Sequence, residues 1–444
     1  MQKSMLKIFK ISVPLIISEL FYVIYELADG AWVSGLGTRY LSAIGSFFPV
    51  YMALFSIPFG VSIGVSSLIS RKIGEKSKEG VENSAINAII LAFIISVALT
   101  LFSYYNLPEI LILAGDDANY DLIYSYAEVI VLGIPVIVFG IIGFGIIMGK
   151  ADTKKILFVN AFGSVLNIIL DPIFIYALGL GLKGAAMATI FSMTISSFLA
   201  YYLILQKLHF DLSLRKFRFD SKIISDILMV GIPATLSFIV FSVTILANNK
   251  IILQTGYDNG IAVYIGSLWL IEMGLLPAYG IAGAIVPLVG KCYGEGNFSE
   301  LKSYYLSGIK LSLLLIFPLL MGYLIFTPQV ALIYTYSEAS REIYYDLLMS
   351  IRILTFIIPL ISVTLISISA FEGMGEGGKA FFVDLICLGF FPILFSFMLS
   401  KKAGFFGVLV GDVVGLAIGA LFALLYTLRH ITSKATTQLV GISP

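Results

Sequence analysis

Three carboxylates, Glu19, Glu26 and Asp29, stand close together on one long apolar stretch. On a helix, Glu19 and Glu26 are seven apart and share a face, and Asp29 lies three beyond Glu26, next to that face. Tyr22 and Tyr25 lie close by. A second apolar stretch carries Asp171, followed by Pro172 and preceded one turn earlier by Asn167. No basic residue in either stretch is placed to neutralise these acids. A carboxylate at the centre of a bilayer costs roughly 2.5–3.5 kcal/mol on insertion scales, so such groups persist where they are paired or functional. Unpaired acids beside amide and phenol oxygens invite a small cation, H⁺ or Na⁺. The plainer reading puts Glu26 and Asp29 in the outer water interface and makes Asp171-Pro172 a kink satisfied by neighbouring backbone.

The elements that must hold these residues are membrane spans. The chain has 444 residues, 59% hydrophobic and only 12% charged, about half the charge of a soluble globular chain. Apolar runs longer than ~18 residues recur along it, each long enough to cross a bilayer. Their breaks predict an all-α integral membrane protein of twelve transmembrane helices, near 8–36, 44–70, 84–106, 122–148, 155–179, 184–206, 223–253, 259–289, 304–326, 342–371, 378–399 and 405–428. The basic front Lys3, Lys7, Lys10 resembles a signal peptide, but the following run is long, contains Pro14 and reaches the acids without a small-residue cleavage site, so it reads as a retained first span. The two termini and the loops after even-numbered spans hold twenty Lys and Arg; the loops after odd-numbered spans hold five, Arg39, Lys183, Arg341, Lys401 and Lys402. That bias predicts both termini on the cytoplasmic side.

The two halves repeat at an offset near 220. Pro14 matches Pro233, Ile44-Gly45-Ser46 matches Ile265-Gly266-Ser267, Pro58 to Gly60 matches Pro277 to Gly280 with one insertion, and Gly74-Glu75 matches Gly294-Glu295. Pro172 and Gly184 pair with Pro392 and Gly407, and His209 with His430. Six spans per copy is even, so the copies share one orientation, and two six-helix lobes related by a pseudo-two-fold along the membrane normal are expected, with a cavity between them near the midplane. The expected division is an N-terminal lobe 1–206, a basic cytoplasmic linker 207–222, a C-terminal lobe 223–430 and a tail 431–444.

Other chemistry is poorly represented. Two cysteines, Cys292 and Cys387, form neither a disulfide framework nor a thiolate metal site, and His209 and His430 stand at the ends of apolar runs. No nucleophile–base pair suggests an enzyme. A net charge of +1 gives no sign of nucleic acid. Gly373 to Gly378 (GMGEGG) matches G-x-G-x-x-G but follows an apolar span rather than a strand, so a nucleotide site fails its context. Asp384 and Asp412 fall within spans 11 and 12, where each reads as a polar contact between helices, worth about 1 kcal/mol. Glu372 reads as a residue at a cytoplasmic helix end. Pro14, in the same span as the first acids, removes a backbone donor and can kink its helix.

Several stretches together resemble the multidrug and toxic compound extrusion (MATE) family over essentially the whole chain. They are Leu27-Ala28-Asp29-Gly30 through Gly37, Gly149-Lys150-Ala151-Asp152-Thr153-Lys154, Asn167 through Pro172 with Gly184 to Thr189, and Pro287 to Gly290 with Gly294 to Asn297. The resemblance implies a V-shaped pair of six-helix lobes that exports amphipathic, often cationic organic compounds in exchange for H⁺ or Na⁺. It implies an N-lobe cation site at Asp29, Asn167, Asp171 and Thr189, which Na⁺ could occupy, with Tyr25 beside it and Pro14 at the bend of span 1. Glu19 and Glu26 are acids beyond the family's usual pattern. Where relatives place acids for a C-lobe site, span 7 offers only Asn248 and Asn249 and span 10 only Glu372, which disfavours such a site. The expected protein is a monomeric secondary transporter of the cell membrane with no cofactor, acting on small organic molecules. A lipid-linked oligosaccharide or lipid flippase of the same superfamily is the alternative, disfavoured because few cations (Lys250, Lys310, Arg352) lie in the spans.

Overall fold

The computed structural model describes residues 2–112, 119–208, 219–257, 259–335 and 338–439. Most of the 207–222 segment, with His209 and Arg215, Lys216 and Arg218, lies outside them. Among the described residues there are long helices and no strand, as expected where lipid offers backbone groups no partner. Eleven helices among the described residues are long and apolar enough to cross a membrane. We label the spans α1 (Gln2–Ser34), α2 (Thr38–Gly74), α3 (Lys78–Tyr105), α4 (Tyr120–Gly149), α5 (Thr153–Ala177) and α6 (Gly181–Leu208). The second set is α7 (Ser221–Gln254), α8 (Gly260–Gly294), α9 (Phe298–Ile325) and α10 (Ile357–Met374). The last long helix, Gly377–Thr436, is broken at Ala403 (φ −127°) and Gly404 (φ +57°, ψ −136°). It is therefore two spans, α11 (377–402) and α12 (405–439), which restores the expected twelve.

The break makes a hairpin. A Cβ on Gly407, Gly411, Gly415 or Gly419 would lie 2.2–2.9 Å from backbone atoms of Leu399, Ser396, Phe391 and Cys387 respectively. Each step of four along α12 thus meets a step of about four backwards along α11, the signature of antiparallel helices in close backbone contact. Small residues at four-residue spacing permit this approach. Span 10 differs from expectation: a short helix Tyr344–Leu354 is separated from α10 at Thr355–Phe356, where the Thr355 hydroxyl donates back to the Ile351 carbonyl at 2.6 Å.

The described contacts divide the chain into two compact units, Ile17–Thr235 and Met1–Ile16 with Leu236–Pro444. The cuts fall inside α1 and α7, two or three residues after Pro14 and Pro233. These boundaries differ from the boundary of the sequence repeat at 207–222. In the first unit, Gly60 of α2 meets the start of α7: its Cβ would sit 2.5 Å from the Gly231 carbonyl oxygen. In the second, Gly280 of α8 meets the start of α1, with Ile16 Cγ1 at 2.4 Å and the Ser12 carbonyl oxygen at 3.1 Å. Gly60 and Gly280 are repeat-related, so the two copies make the same contact, each with the first turns of the other copy's leading helix. Within the first unit, α4 is the central helix, with Ile130, Ile134 and Ile142 fully buried.

Candidate functional site

Three helices of the Ile17–Thr235 unit, α1, α5 and α6, bring the predicted residues together. Asn167 and Asp171 lie one turn apart on α5, so both point the same way; they are 2% and 0% exposed. Thr189 is buried on α6, and its hydroxyl oxygen accepts from the Asn167 amide at 3.4 Å. Asp29, half-buried near the end of α1, is close enough to Asp171 for the two charges to act on each other. Tyr25, one turn before Asp29, lies beside both Asp29 and Thr189. All four residues of the expected cation set are therefore in one neighbourhood.

The unsatisfied atoms there are all acceptors. Asp29 Oδ1, Asn167 Oδ1 and both carboxylate oxygens of Asp171 are buried without a hydrogen-bond donor. Leaving a buried polar atom unpartnered costs about 1–3 kcal/mol, more for a charged group. Several such oxygens facing one neighbourhood suit a hard cation or a proton, which would relieve both the mutual repulsion and the missing donors. The residues present thus fit the ion that the sequence implies.

Two tyrosines that the sequence reading missed complete the site. Tyr126 of α4, buried, lies near both Asp29 and Asp171, and its ring packs edge-on against Phe47 at 5.8 Å. Tyr51 of α2 lies near Tyr25 and Tyr126 and packs on Phe55 at 4.5 Å. No spacing could single them out among 24 tyrosines.

Glu19 and Glu26 occupy a neighbouring position on α1. Glu26 is exposed beside Tyr22 and acts electrostatically on both Glu19 and Asp29. Through Asp29 and Tyr51 it borders the buried set without being part of it. Next to Glu19, the Ser18 hydroxyl accepts from the Asn160 amide at 2.6 Å, tying α1 to α5. Below Asp171, Pro172 is followed by a wider π-type turn, Ile173–Ala177, in which Leu178 N–H reaches the Ile173 carbonyl at 2.8 Å; that is the backbone accommodation of the proline. Beyond it, the Tyr176 hydroxyl donates to the Trp32 carbonyl, closing α5 onto the end of α1. Pro14 is buried in α1 and belongs to the other unit; it lies in the same helix as Asp29, fifteen residues before it.

Elsewhere, Glu372 is near the end of α10 as expected but is buried, 7% exposed. Among the described residues, Cys292, Glu295 and Glu300 are near enough to share a metal ion, but Glu295 is ion-paired with Lys291 and Glu300 accepts from Tyr304.

The MatE family profile matches residues 14–173 and 233–398, one stretch in each repeat. A probable multidrug resistance protein of Bacillus subtilis is 24% identical over 76% of this chain and 75% of its own length. A solved outward-facing multidrug resistance MATE transporter of the MOP superfamily is 34% identical, covers 98% of this chain and 97% of its own, and superposes with a TM-score of 0.92. A MOP superfamily transporter from Pyrococcus furiosus, described as having a binding pocket of reverse polarity, is 33% identical over 97% of each chain with a TM-score of 0.92. The chain belongs to the MatE family of multidrug and toxic compound extrusion proteins and is a multi-pass secondary transporter.

Proposed function

We propose that the protein is an antiporter that exports amphipathic, cationic organic compounds in exchange for H⁺ or Na⁺ bound at Asp29, Asn167, Asp171 and Thr189. The observation that carries this reading is the group of buried, donorless oxygens on Asp29, Asn167 and Asp171. A cation there neutralises like charges on α1 and α5 and changes how these helices and α6 pack. It drives transport only because it binds one conformation of the carrier more tightly than the other. Substrate is taken up with the path open to the cytoplasm, against aromatic and aliphatic walls that favour a cation by cation–π contact, and leaves when the outward-open form takes up the ion. Tyr25, Tyr51 and Tyr126 orient the carboxylates; Glu26 and Glu19 gather cations beside them; Pro14 lets α1 bend as its two parts move with different units. The carrier works as a monomer in the cell membrane with both termini cytoplasmic. Relatives named for multidrug resistance support the substrate class, and the comparisons lend no support to the flippase alternative.

The test is uptake of a fluorescent organic cation into inside-out proteoliposomes under separately imposed H⁺ and Na⁺ gradients. One gradient is expected to drive uptake, and Asp29→Asn and Asp171→Asn to abolish that drive. Uptake indifferent to both gradients and both substitutions contradicts the reading.

A further inference from the structure

A second buried constellation lies in the other unit and has no part in the site above. Asp412 of α12, 5% exposed, accepts three hydrogen bonds: from the Asn248 amide at 2.7 Å and the Ser396 hydroxyl at 2.9 Å on Oδ1, and from the Tyr264 hydroxyl at 2.8 Å on Oδ2. Four spans, α7, α8, α11 and α12, thus converge on one carboxylate. Asn248 and Ser396 are 0% exposed and Tyr264 3%. The surrounding shell is apolar, including Ile251, Ile252, Val263, Val408, Leu409 and Leu416. Among the described residues Asp412 has no ion-pair partner, so its donors are neutral.

One atom is left over. Asn248 Oδ1 is buried and has no hydrogen-bond partner, although the Nδ2 of the same amide is bonded to Asp412 and to the Tyr264 oxygen at 2.9 Å. The unpartnered oxygen is therefore carried by a group fixed against the carboxylate. A buried negative charge with an unused acceptor beside it lacks one positive centre.

The internal repeat points to the same place. Fifteen residues after Pro14 is Asp29, and fifteen after its counterpart Pro233 is Asn248; five after Gly184 is Thr189, and five after its counterpart Gly407 is Asp412. Each copy therefore has one acid and one neutral oxygen at these positions of its first and sixth helices, with the acid exchanged between them. The acid of the C-terminal copy thus lies in span 12, not in span 7 or span 10 where relatives place it.

We propose that Asp412, Asn248, Tyr264 and Ser396 form a second site for a small monovalent cation, Na⁺ or H⁺, in the C-terminal repeat. With either ion the Asn248 amide, whose Nδ2 here faces the carboxylate, turns over to bring Oδ1 inward: with Na⁺ the two hydroxyls turn their lone pairs to the ion beside it, and with H⁺ the protonated carboxyl donates to that oxygen. As an addition to the cation coupling proposed above, it rests on that reading, and it raises the number of ions the carrier can hold from one to two.

The test counts ions on purified full-length protein in detergent. ²²Na⁺ retained per protein at fixed pH reads Na⁺; the wild-type-minus-variant difference in protons taken up on an acid step in Na⁺-free medium reads H⁺. Wild type is expected to hold two ions, and Asp412→Asn and Asp171→Asn one each. Two ions lost to one only in Asp412→Asn would leave this inference standing and remove the N-lobe reading. An ion count unchanged by Asp412→Asn overturns the inference. Should Asp412→Asn fail to fold, Ser396→Ala keeps the charge and removes one ligand. It is expected to weaken one of the two binding events several-fold, and a lowered melting temperature with both affinities unchanged would mark the cluster as a structural knot and overturn the inference equally.

Discussion

At the residue scale, the candidate site is a problem of unsatisfied oxygens. Asp171 has neither carboxylate oxygen bonded, whereas Asp412 has three donors, so the two acids should respond differently to substitution. Asp171→Asn supplies donors and removes repulsion with Asp29; it is expected to leave the melting temperature unchanged or raise it, while abolishing gradient-driven flux. Asp412→Asn leaves donors facing donors and is expected to lower the melting temperature, measured by thermal unfolding in detergent, at a cost of about 1–3 kcal/mol. The acids were legible in the sequence because a charge inside an apolar run is conspicuous. Tyr51 and Tyr126 were not, because an aromatic residue in a membrane helix has no such contrast; only the folded neighbourhood distinguishes them from the other tyrosines. The same limit hid the partners of Asp412: the sequence shows the acid and suggests a polar contact between helices, but the donors come from three distant spans.

At the element scale, the determinants are glycines and prolines at particular places. Gly404 has φ +57° and ψ −136°, a region essentially closed to residues with a Cβ. Gly404→Ala is expected to cost about 1–3 kcal/mol, and Gly411→Leu more, because its side chain would enter the space of the Ser396 backbone; both are checked by the yield and melting temperature of monodisperse protein. Pro14→Ala restores a backbone donor to α1. Its expected effect is normal folding with slower turnover, seen as a reduced initial flux at saturating substrate. The sequence disclosed the spans through apolar length, and the structure agrees closely. It did not disclose the break at Thr355, because Leu354 and Ile357 continue the apolar pattern across it, nor the exchange of helix starts, because the repeat records where the copies join and not which copy a helix packs against.

At the scale of the whole molecule, charge fixes the ends of the spans. Glu376, between α10 and α11, is 2.7 Å from Lys379, 2.8 Å from His430 and 3.4 Å from Lys434. Burial raises its pKa, but the bonds and charges of His430 and Lys379 outweigh burial and hold the carboxyl down to about 2. A depressed carboxylate adds stability above its unfolded value, about 4.3, and loses it as pH falls toward 2. Wild type is therefore expected to exceed Glu376→Gln in stability by roughly 2 kcal/mol near neutrality, the gap closing progressively below about pH 4; paired melting curves against pH check it.

The claim that holds these scales together is exchange: the organic cation and the coupling ion move in opposite directions because they use one carrier in turn. The most direct measurement loads proteoliposomes with substrate, sets H⁺ and Na⁺ equal on both sides, and follows the ions as substrate runs out down its own gradient. The account predicts that one ion is drawn inward against the gradient that this creates, with a rate that follows substrate efflux, and that Asp171→Asn shows no such uptake. Substrate efflux with no countermovement of either ion in the wild type would contradict it.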